Sequence, residues 1–326
     1  MIPALDDILD RAHVVALPMA VTFRGITTRE ALLIHGPAGW GEFSPFVEYG
    51  TEESATWLAA GIEAAFVGLP EAHGWVDVNG TVPAVPAAQI PEVLERYPGV
   101  GTFKIKVAEK GQTLDDDIAR VTAVRHARPD ATLRVDANRG WTVEQAVAAA
   151  NALGELEYIE QPCATVEELA QVRRCTTTPI AADESIRRAA DPYRVVEADA
   201  ADVGVVKPAP LGGVRALVAM GEKLGLSLTV ASALDTAVGI DAGLVAAKLT
   251  GSRAAGLATQ RLFIEDVATP RELREGCLEI TRTIPDPERL HGLRASEQCR
   301  QWWFERVRAC YPYLQRDGAA ASTEQG

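Results

Sequence analysis

The chain has 326 residues, of which 47% are hydrophobic and 24% charged, so it can bury a large core as a globular protein. Its 32 Lys and Arg against 45 Asp and Glu give a net charge of −13, which argues against a nucleic-acid partner. No apolar run approaches the roughly 20 residues of a membrane span, and the acidic N-terminus is unlike a signal peptide. Five cysteines without a CxxC pair predict free thiols in a cytoplasmic protein.

Residues 1–80 differ in pattern from the rest of the chain. The segments HVVALPM and VTFRGITTREALLIHG alternate apolar and polar residues, as antiparallel strands with one solvated face do. A loop rich in Gly and aromatic residues, GWGEFSPF, then leads into the amphipathic helix TEESATWLAAGIEAAFVGL. This order predicts an α+β N-terminal capping domain. We expect the C-terminal segment, about 285–326, to pack back on that cap.

Strand and helix patterns alternate over residues 81–284. The strand candidates are TVPAV (81–85), TFKIKV, LRVDAN, LEYIEQP, PIAADES, ADVGVVKP, LSLTVAS and a short last strand, AAGLAT (254–259). Such alternation is typical of a parallel sheet whose strands are joined by crossover helices. About eight strands predict an α/β catalytic domain, a modified (β/α)8-type, TIM-like barrel.

Six charged residues close these strands at regular intervals. They are Lys104, Lys106, Asp136, Glu160, Asp183 and Lys207, and the intervals from Lys106 onward are 30, 24, 23 and 24 residues. One strand, one helix and two short loops need roughly 25 to 30 residues. The six side chains are therefore expected at the carboxyl-terminal mouth of the barrel, where such barrels place their chemistry.

The three acids lie on consecutive strands and predict a metal site. Neighbouring strands of a parallel sheet are about 5 Å apart, so inward-pointing carboxylates can reach one ion. Three carboxylates without His or Cys favour Mg²⁺, with Mn²⁺ as the alternative, over zinc. One such acid alone would more often be an ordinary loop residue. Three in phase favour the assignment of Asp136, Glu160 and Asp183 as metal ligands.

The lysines predict proton transfer. Lys104 and Lys106 are two residues apart and point to the same face of their strand. Repulsion between two ammonium groups in a partly dry pocket lowers the pKa of at least one, which lets an amine act as a base. Lys207 is expected across the mouth from Lys106. This pair suits abstraction of a proton alpha to a metal-bound carboxylate, or a two-base exchange of configuration, although Lys104 and Lys207 also fit simple salt bridges.

The order KIK, VDAN, IEQP, ADES and VKP, after the loop GWGEFSPF, resembles the enolase superfamily and its muconate-lactonizing subgroup from about Val14 to about Pro287. The resemblance implies a (β/α)7β barrel beneath the cap and Mg²⁺ on the three acids. It also implies that Lys106 is the catalytic base, that Lys207 stabilises the enediolate and that Lys104 helps to bind the carboxylate. Further substrate contacts are expected from Asn138, Ser232, Leu234 and Arg24.

The resemblance implies a small-molecule carboxylate substrate and leaves two reactions open. SALDTAVG (232–239) and FRGITTREALL favour a syn-dehydration in menaquinone biosynthesis, from 2-succinyl-6-hydroxy-2,4-cyclohexadiene-1-carboxylate to 2-succinylbenzoate. N-acylamino acid racemases and dipeptide epimerases share the six charged residues, and VVKPAPLGG is compatible with them. A binding protein on a catalytically dead barrel would lack one of the six, and none is missing. A homo-oligomer is compatible with the sequence, which does not decide the oligomeric state.

Overall fold

A computed structural model of the chain describes residues 2–23, 25–187 and 191–323. The cap begins with a short helix and a three-stranded antiparallel sheet, formed by α1 (Leu5–Leu9), β1 (Ala12–Phe23), β2 (Ile26–Gly36) and β3 (Gly39–Phe43). Helix α2 (Thr51–Ile62) follows, continues into a π-helical turn (Glu63–Val67) and packs against β3. The strands-then-helix order predicted for the cap is the one observed.

Helix α2 approaches the sheet closely because a glycine faces it. A Cβ added to Gly61 would lie 2.8 Å from the carbonyl oxygen of Glu42 in β3, closer than real Cβ atoms come to backbone. Any larger residue would therefore push the helix away from the strand. This close packing holds the end of β3, and with it Glu42 and Ser44, against the barrel.

The barrel is a parallel sheet of seven strands that pair in chain order. They are β5 (Asn79–Val82), β6 (Thr102–Lys106), β7 (Thr132–Asp136), β8 (Tyr158–Glu160), β9 (Ile180–Ala182), β10 (Val203–Val206) and β11 (Ser227–Val230). The helices between and after them are α3 (Ile90–Glu95), α4 (Leu114–Ala127), α5 (Val143–Ala152), α6 (Val166–Cys175), α7 (Glu184–Arg187), α8 (Arg194–Glu197), α9 (Val214–Leu224) and α10 (Ala237–Thr250). The predicted modified α/β barrel beneath an α+β cap is confirmed.

The two ends of the predicted sheet need correction. The first barrel strand ends at Val82, because the next residue, Pro83, has no N–H to donate to a ladder. The predicted last strand, 254–259, is not a strand; single parallel bridges join Val78 to Ala255 and Ala231 to Gly256. A 3₁₀ turn (Ala258–Leu262) follows directly and leaves no room for a longer ladder. This 254–259 segment closes the barrel between β11 and β5.

Three successive barrel helices begin on capping boxes, which explains where they start. Thr113, Thr142 and Thr165 each accept a hydrogen bond from the backbone N–H three residues on, and the side chain at that position bonds back. Each box satisfies two backbone donors that a helix N-terminus otherwise leaves open. The short loops between strand ends and helices are thereby fixed, and with them the barrel mouth.

The C-terminal part of the chain contributes one strand next to the barrel and a long helix that packs on the cap. Strand β12 (Cys277–Glu279) pairs with β4 (Trp75–Asp77), and α11 (Pro287–Gly292) leads to α12 (Glu297–Thr323). Trp303 of α12 is buried in the cap, edge-on to Phe43 at 5.7 Å. One large hydrophobic cluster lies mostly within the barrel, and the cluster of the cap also includes Leu234, Val238 and Leu262. The division into a cap of 1–80 with 285–326 and a barrel of 81–284 stays a prediction. Within the described residues, no helix has the length and apolarity to cross a membrane.

A buried arginine supports the barrel at its closing segment. Arg134 of β7 donates to Glu157 Oε2 (2.6 Å), to Asn79 Oδ1 (3.1 Å) and to the carbonyl of Ala254 (2.6 Å). Its guanidinium also lies 4.8 Å from the ring centre of Tyr158. Arg134 therefore ties β7 and β5 to the segment that closes the sheet.

We predict that Arg134→Met lowers the free energy of unfolding by about 3 kcal/mol, because it leaves buried acceptors without their donor. The matched control is Arg253→Met, since Arg253 binds the same Glu157 but its side chain is 39% exposed, whereas that of Arg134 is 1% exposed. The control should cost less than about 1 kcal/mol. Guanidinium unfolding measures both, and equal losses would contradict the role given to Arg134.

Candidate functional site

Strand register places three of the predicted site residues at one level of the sheet. Lys106 of β6 is opposite Asp136 of β7, which is opposite Glu160 of β8. Asp183 directly follows β9, and Lys207 directly follows β10. Because all these strands are parallel, their carboxyl ends meet at the same mouth. The predicted rhythm of strand ends therefore corresponds to one ring of charged side chains.

The first half of the ring is a chain of ion pairs. Lys104, one layer deeper on β6, lies 2.9 and 3.0 Å from the two oxygens of Glu160, and 3.3 Å from Asp136 Oδ2. Lys106 Nζ lies 2.5 Å from Asp136 Oδ2 and 2.5 Å from Asn138 Oδ1. Each lysine thus contacts a carboxylate on a neighbouring or next-neighbouring strand. The salt-bridge geometry considered for Lys104 is present.

The second half of the ring contains an arginine that sequence reasoning missed. Lys207 Nζ lies 2.7 and 2.6 Å from the two oxygens of Asp183, and Arg187 Nε donates to the same carboxylate at 2.8 Å. Arg187 also donates to Glu184 Oε1 (2.8 Å) and to the hydroxyl of Tyr49 in the cap (2.6 Å). No motif signalled Arg187. The strand before it was predicted to continue through Glu184, so the helical turn that carries Arg187 was not expected.

Glu184 does not continue the strand, although the strand candidate PIAADES includes it. The strand ends at Ala182, and Glu184 begins the helical turn α7. The turn brings its carboxylate back toward the mouth, where Oε1 also accepts from Asn138 Nδ2 at 3.3 Å. Arg187 and the three lysines therefore face the three predicted ligand acids and Glu184, four cations against four carboxylates.

Gln161 orients Asp183 through the backbone. Its side-chain oxygen accepts from the N–H groups of Asp183 (3.0 Å) and Ser185 (3.1 Å), and its amide nitrogen donates to Ser185 Oγ. These bonds fix the turn between β9 and α7. Gln161 thus positions an acid of the ring.

Burial and neighbouring charges shift the pKa values of the ring. Burial, followed by Asp136, raises the pKa of Glu160 to about 7. Burial opposes ionisation of Asp136 as well, but Lys106 and Lys104 outweigh it and hold its pKa far below the usual range. Arg187 and Lys207 do the same for the pKa of Asp183. Asp136 and Asp183 are therefore strongly ionised, whereas the neighbouring cations do not fully offset the effect of burial on Glu160.

The pKa values of Lys207 and Lys104 are shifted in opposite directions. Burial lowers the pKa of Lys207 more than Asp183 raises it. Burial also disfavours charged Lys104, but Glu160 and Asp136 overcome it, so its pKa lies above the ordinary value. The expected lowering by lysine–lysine repulsion does not occur at Lys104, because the adjacent carboxylates contribute more than the second ammonium group.

The donor set fits a hard divalent cation in chemistry and in charge. The three acids supply only carboxylate oxygens, and Glu160 is completely buried beside Asp136. Across the described ranges, however, no three His, Cys, Asp or Glu side chains are spaced to share one metal ion. The ammonium groups of Lys104, Lys106 and Lys207 contact the carboxylates instead. The metal-ligand assignment stays a prediction.

A cavity of about 50 Å³ joins the ring to the loop after β11. It brings together nearly all the predicted catalytic and substrate-binding side chains, namely Lys104, Lys106, Asn138, Lys207, Ser232 and Leu234. Glu160 is buried beneath it. Arg24, the remaining predicted contact, lies outside the described residues. The cavity wall also includes residues that the motifs did not signal, namely Phe46, Thr81, Arg187, Gly256 and Thr259.

Two of the predicted contacts bind each other. Ser232 Oγ accepts from the N–H of Leu234 at 3.2 Å and lies 2.6 Å from Thr259 Oγ1.

A wider cleft of about 570 Å³ between the β1–β2 hairpin and 83–89 adjoins the cavity, since Lys106 and Asn138 border both. Together they form a path from the hairpin to the charged ring.

Family comparisons agree with this fold and site. Residues 87–284 match the description "Enolase C-terminal domain-like", and residues 14–65 match "Enolase N-terminal domain-like". The chain belongs to the enolase superfamily. Its barrel and cap correspond to the two domains that those descriptions name.

Individual relatives narrow the comparison. The chain is 57% identical over 319 residues to an o-succinylbenzoate synthase of Mycolicibacterium smegmatis, covering 96% of this chain and 99% of the relative. It is 56% identical over 320 residues to an o-succinylbenzoate synthase of Mycobacterium tuberculosis, covering 96% and 98%.

Two solved structures share the fold. A muconate lactonizing enzyme of Pseudomonas fluorescens, complexed with muconolactone, superposes with a TM-score of 0.73 at 24% identity, covering 87% of this chain and 98% of that one. A dipeptide epimerase of Enterococcus faecalis gives 0.67 at 23% identity, covering 83% and 96%. At these identities the likeness shows the fold alone.

We predict that Asp183→Asn lowers the free energy of unfolding by about 3 kcal/mol in metal-free buffer, because Lys207 and Arg187 then face each other without their shared carboxylate. Adding Lys207→Met should recover part of that loss, since one of the opposed cations is removed. Denaturant unfolding of the single and double variants measures the coupling. Strictly additive changes in the free energy of unfolding would contradict the shared ion-pair network. The control is Lys110→Met on the exposed surface, which should leave the stability unchanged.

Proposed function

We propose that the protein is an o-succinylbenzoate synthase. It would convert 2-succinyl-6-hydroxy-2,4-cyclohexadiene-1-carboxylate to 2-succinylbenzoate by syn-dehydration, as a step of menaquinone biosynthesis. The observation that carries the proposal is that Lys106 and Lys207 border one cavity together with Asp136 and Asp183. The near full-length identity to relatives of that name supports the choice of reaction.

The proposed chemistry begins with the proton on the ring carbon that bears the carboxylate. Lys106, in its neutral form, would take this proton onto Nζ, and its half-buried position at the cavity gives it access to the substrate. The ammonium group would then give the proton to the hydroxyl that leaves the adjacent carbon on the same face. Water departs, the ring becomes aromatic, and Lys106 returns to its starting form.

The other residues would stabilise the charge that develops on the substrate carboxylate. Asp136, Glu160 and Asp183 would hold Mg²⁺, or Mn²⁺ in its place. A bound divalent ion supplies a Lewis acid that offsets this charge. Lys207, buried across the cavity from Lys106, would keep an ammonium charge near the anionic intermediate, and Lys104 would orient Glu160 and Asp136.

Opposed lysines would also suit a racemase or epimerase. Lys106 and Lys207 both reach the cavity, from strands four positions apart in the sheet. Both reactions start with the same proton abstraction, so the geometry alone does not separate them. The names of the two mycobacterial relatives favour the dehydratase.

We predict that Lys106→Ala lowers kcat for synthesis of 2-succinylbenzoate by at least about 10³-fold, because the general base and acid is lost. Formation of the aromatic product, followed by its absorbance, measures this. The matched control is Lys110→Ala, an exposed lysine four residues on, which should keep wild-type turnover. Wild-type turnover by Lys106→Ala would sink the assignment. If the wild-type protein formed no aromatic product but exchanged deuterium at an amino acid Cα, the result would favour the racemase.

We also predict that removal of divalent ions with a chelator abolishes turnover and that Mg²⁺ restores it. Mg²⁺ should raise the melting temperature of the wild-type protein, because it binds the folded state and not the unfolded state. The rise should be lost in Asp183→Asn, which removes a negatively charged donor. Calorimetric titration with Mg²⁺ gives a readout independent of activity. Equal Mg²⁺ affinity in both proteins would contradict the ligand assignment.

A further inference from the structure

One wall of the cavity has a backbone conformation that L-residues with side chains rarely adopt. Leu234, in the loop between β11 and α10, has φ of 60°. A non-glycine residue in this left-handed region is strained, because its Cβ lies too close to the following carbonyl oxygen. Leu234 is buried and borders the cavity, so the strained residue forms part of the proposed substrate site. Something must hold the loop in this conformation.

A residue of the cap binds this loop directly. Arg29, near the start of β2, is 3% exposed and donates from Nε to the carbonyl of Leu234 at 3.1 Å. Its Nη2 donates to the carbonyl of Ala233 at 3.3 Å, and to both the carbonyl and the hydroxyl of Ser44. One guanidinium therefore joins two strands of the cap to the strained loop of the barrel.

Arg29 also contacts a second residue of the cavity wall. Its guanidinium carbon lies 4.6 Å from the ring centre of Phe46, and Phe46 borders the cavity from the cap side. The planar group can stack on the ring while its edges donate hydrogen bonds. Phe46 and Leu234 are thus held relative to each other by one side chain that itself stays behind the cavity wall.

A second cap residue holds the far end of the loop. Glu42 Oε2 accepts from the N–H of Thr236 (3.0 Å), from its hydroxyl (2.6 Å) and from the N–H of Gly239 (3.0 Å). These donors form the N-terminus of α10, where a carboxylate is favoured by both the open N–H groups and the helix dipole. A Cβ at Gly239 would lie 2.6 Å from Glu42 Oε2, so the glycine makes room for this contact.

We infer that Arg29 is a positioning residue that holds Leu234 in its left-handed conformation and thereby sets the substrate affinity of the cavity. It does so from the cap, with Glu42 fixing the adjoining helix end. The inference rests on the proposed function for its substrate and predicts no contact between Arg29 and that substrate. Correct docking of the cap is then a condition for a correctly shaped site.

The first test is the variant Arg29→Lys, which keeps a cation beside Glu42 and Asp235. A single ammonium group cannot span the carbonyls of Leu234, Ala233 and Ser44 as the guanidinium does. We expect KM for the cyclohexadiene substrate to rise at least about tenfold while kcat changes less than about threefold, since a group that only shapes binding affects both states alike. Loss of kcat at unchanged KM would overturn the inference.

The matched control is Arg271→Lys. Arg271 is also largely buried and binds α10, through Asp241, the carbonyl of Ala237 (3.3 Å) and Thr283 Oγ1 (2.8 Å), but it does not contact the strained loop. Its KM should stay within about twofold of wild type, even if its stability falls as much as that of Arg29→Lys. A tenfold rise of KM in both variants would indicate a general loss of stability and would overturn the specific role.

The second test is a double-mutant cycle with Leu234→Gly. Glycine adopts the left-handed conformation without strain, so the loop then needs less support. Leu234→Gly alone should raise KM because it removes part of the wall. We expect Arg29→Lys to raise KM at least about fivefold less in the Leu234→Gly background than in the wild type. Additive effects on KM would overturn the coupling between these two residues.

A readout without substrate separates this inference from the proposed function. Hydrogen exchange of the amides of residues 231–235 should be at least about tenfold faster in Arg29→Lys than in wild type, with no such change in Arg271→Lys, because the loop opens locally. If the wild-type protein makes no 2-succinylbenzoate, the proposed function fails, and the exchange result alone decides the inference. Unchanged exchange in Arg29→Lys would overturn it.

Discussion

The structure depends on a constraint of parallel sheets: residues that end neighbouring strands must meet. Lys106, Asp136 and Glu160 are paired across β6, β7 and β8, so their charges are brought together when the barrel closes. Buried charges at such short spacing are tolerated only when cations and carboxylates alternate. The ring meets this condition with four of each sign. Arg187 adds to this alternation, and Gln161 orients one of its members.

The regular spacing of strand ends made the barrel and the charged ring predictable from the sequence. Each acid or lysine closes an apolar run, and parallel pairing then leaves little freedom in where its side chain goes. The strand limits were less predictable, since Pro83 ends the first barrel strand and a 3₁₀ turn shortens the last to single bridges. Those outcomes depend on individual backbone bonds, which hydrophobic pattern does not report.

The contributions of the cap to the site could not be predicted in the same way. Arg29, Glu42 and Tyr49 are more than 130 residues away from the loop or turn that each contacts. Their roles arise from docking of one layer on another, which no local spacing encodes. Arg29 lies within a segment that was singled out by resemblance, but its side chain turns inward to the loop after β11. The signal available in advance was only an unusual concentration of charge in an otherwise apolar strand.

The closing segment of the barrel has one more consequence. Its strand pairing is limited to single bridges at Ala255 and Gly256, and Gly256 and Thr259 form part of the cavity wall. Changes of length or side chain at this seam would alter the shape of the pocket while leaving the seven-strand ladder and the charged ring in place. A barrel closed in this way can acquire preference for a new substrate at its least regular edge, while the charged side chains at the ends of β6 to β10 keep their places.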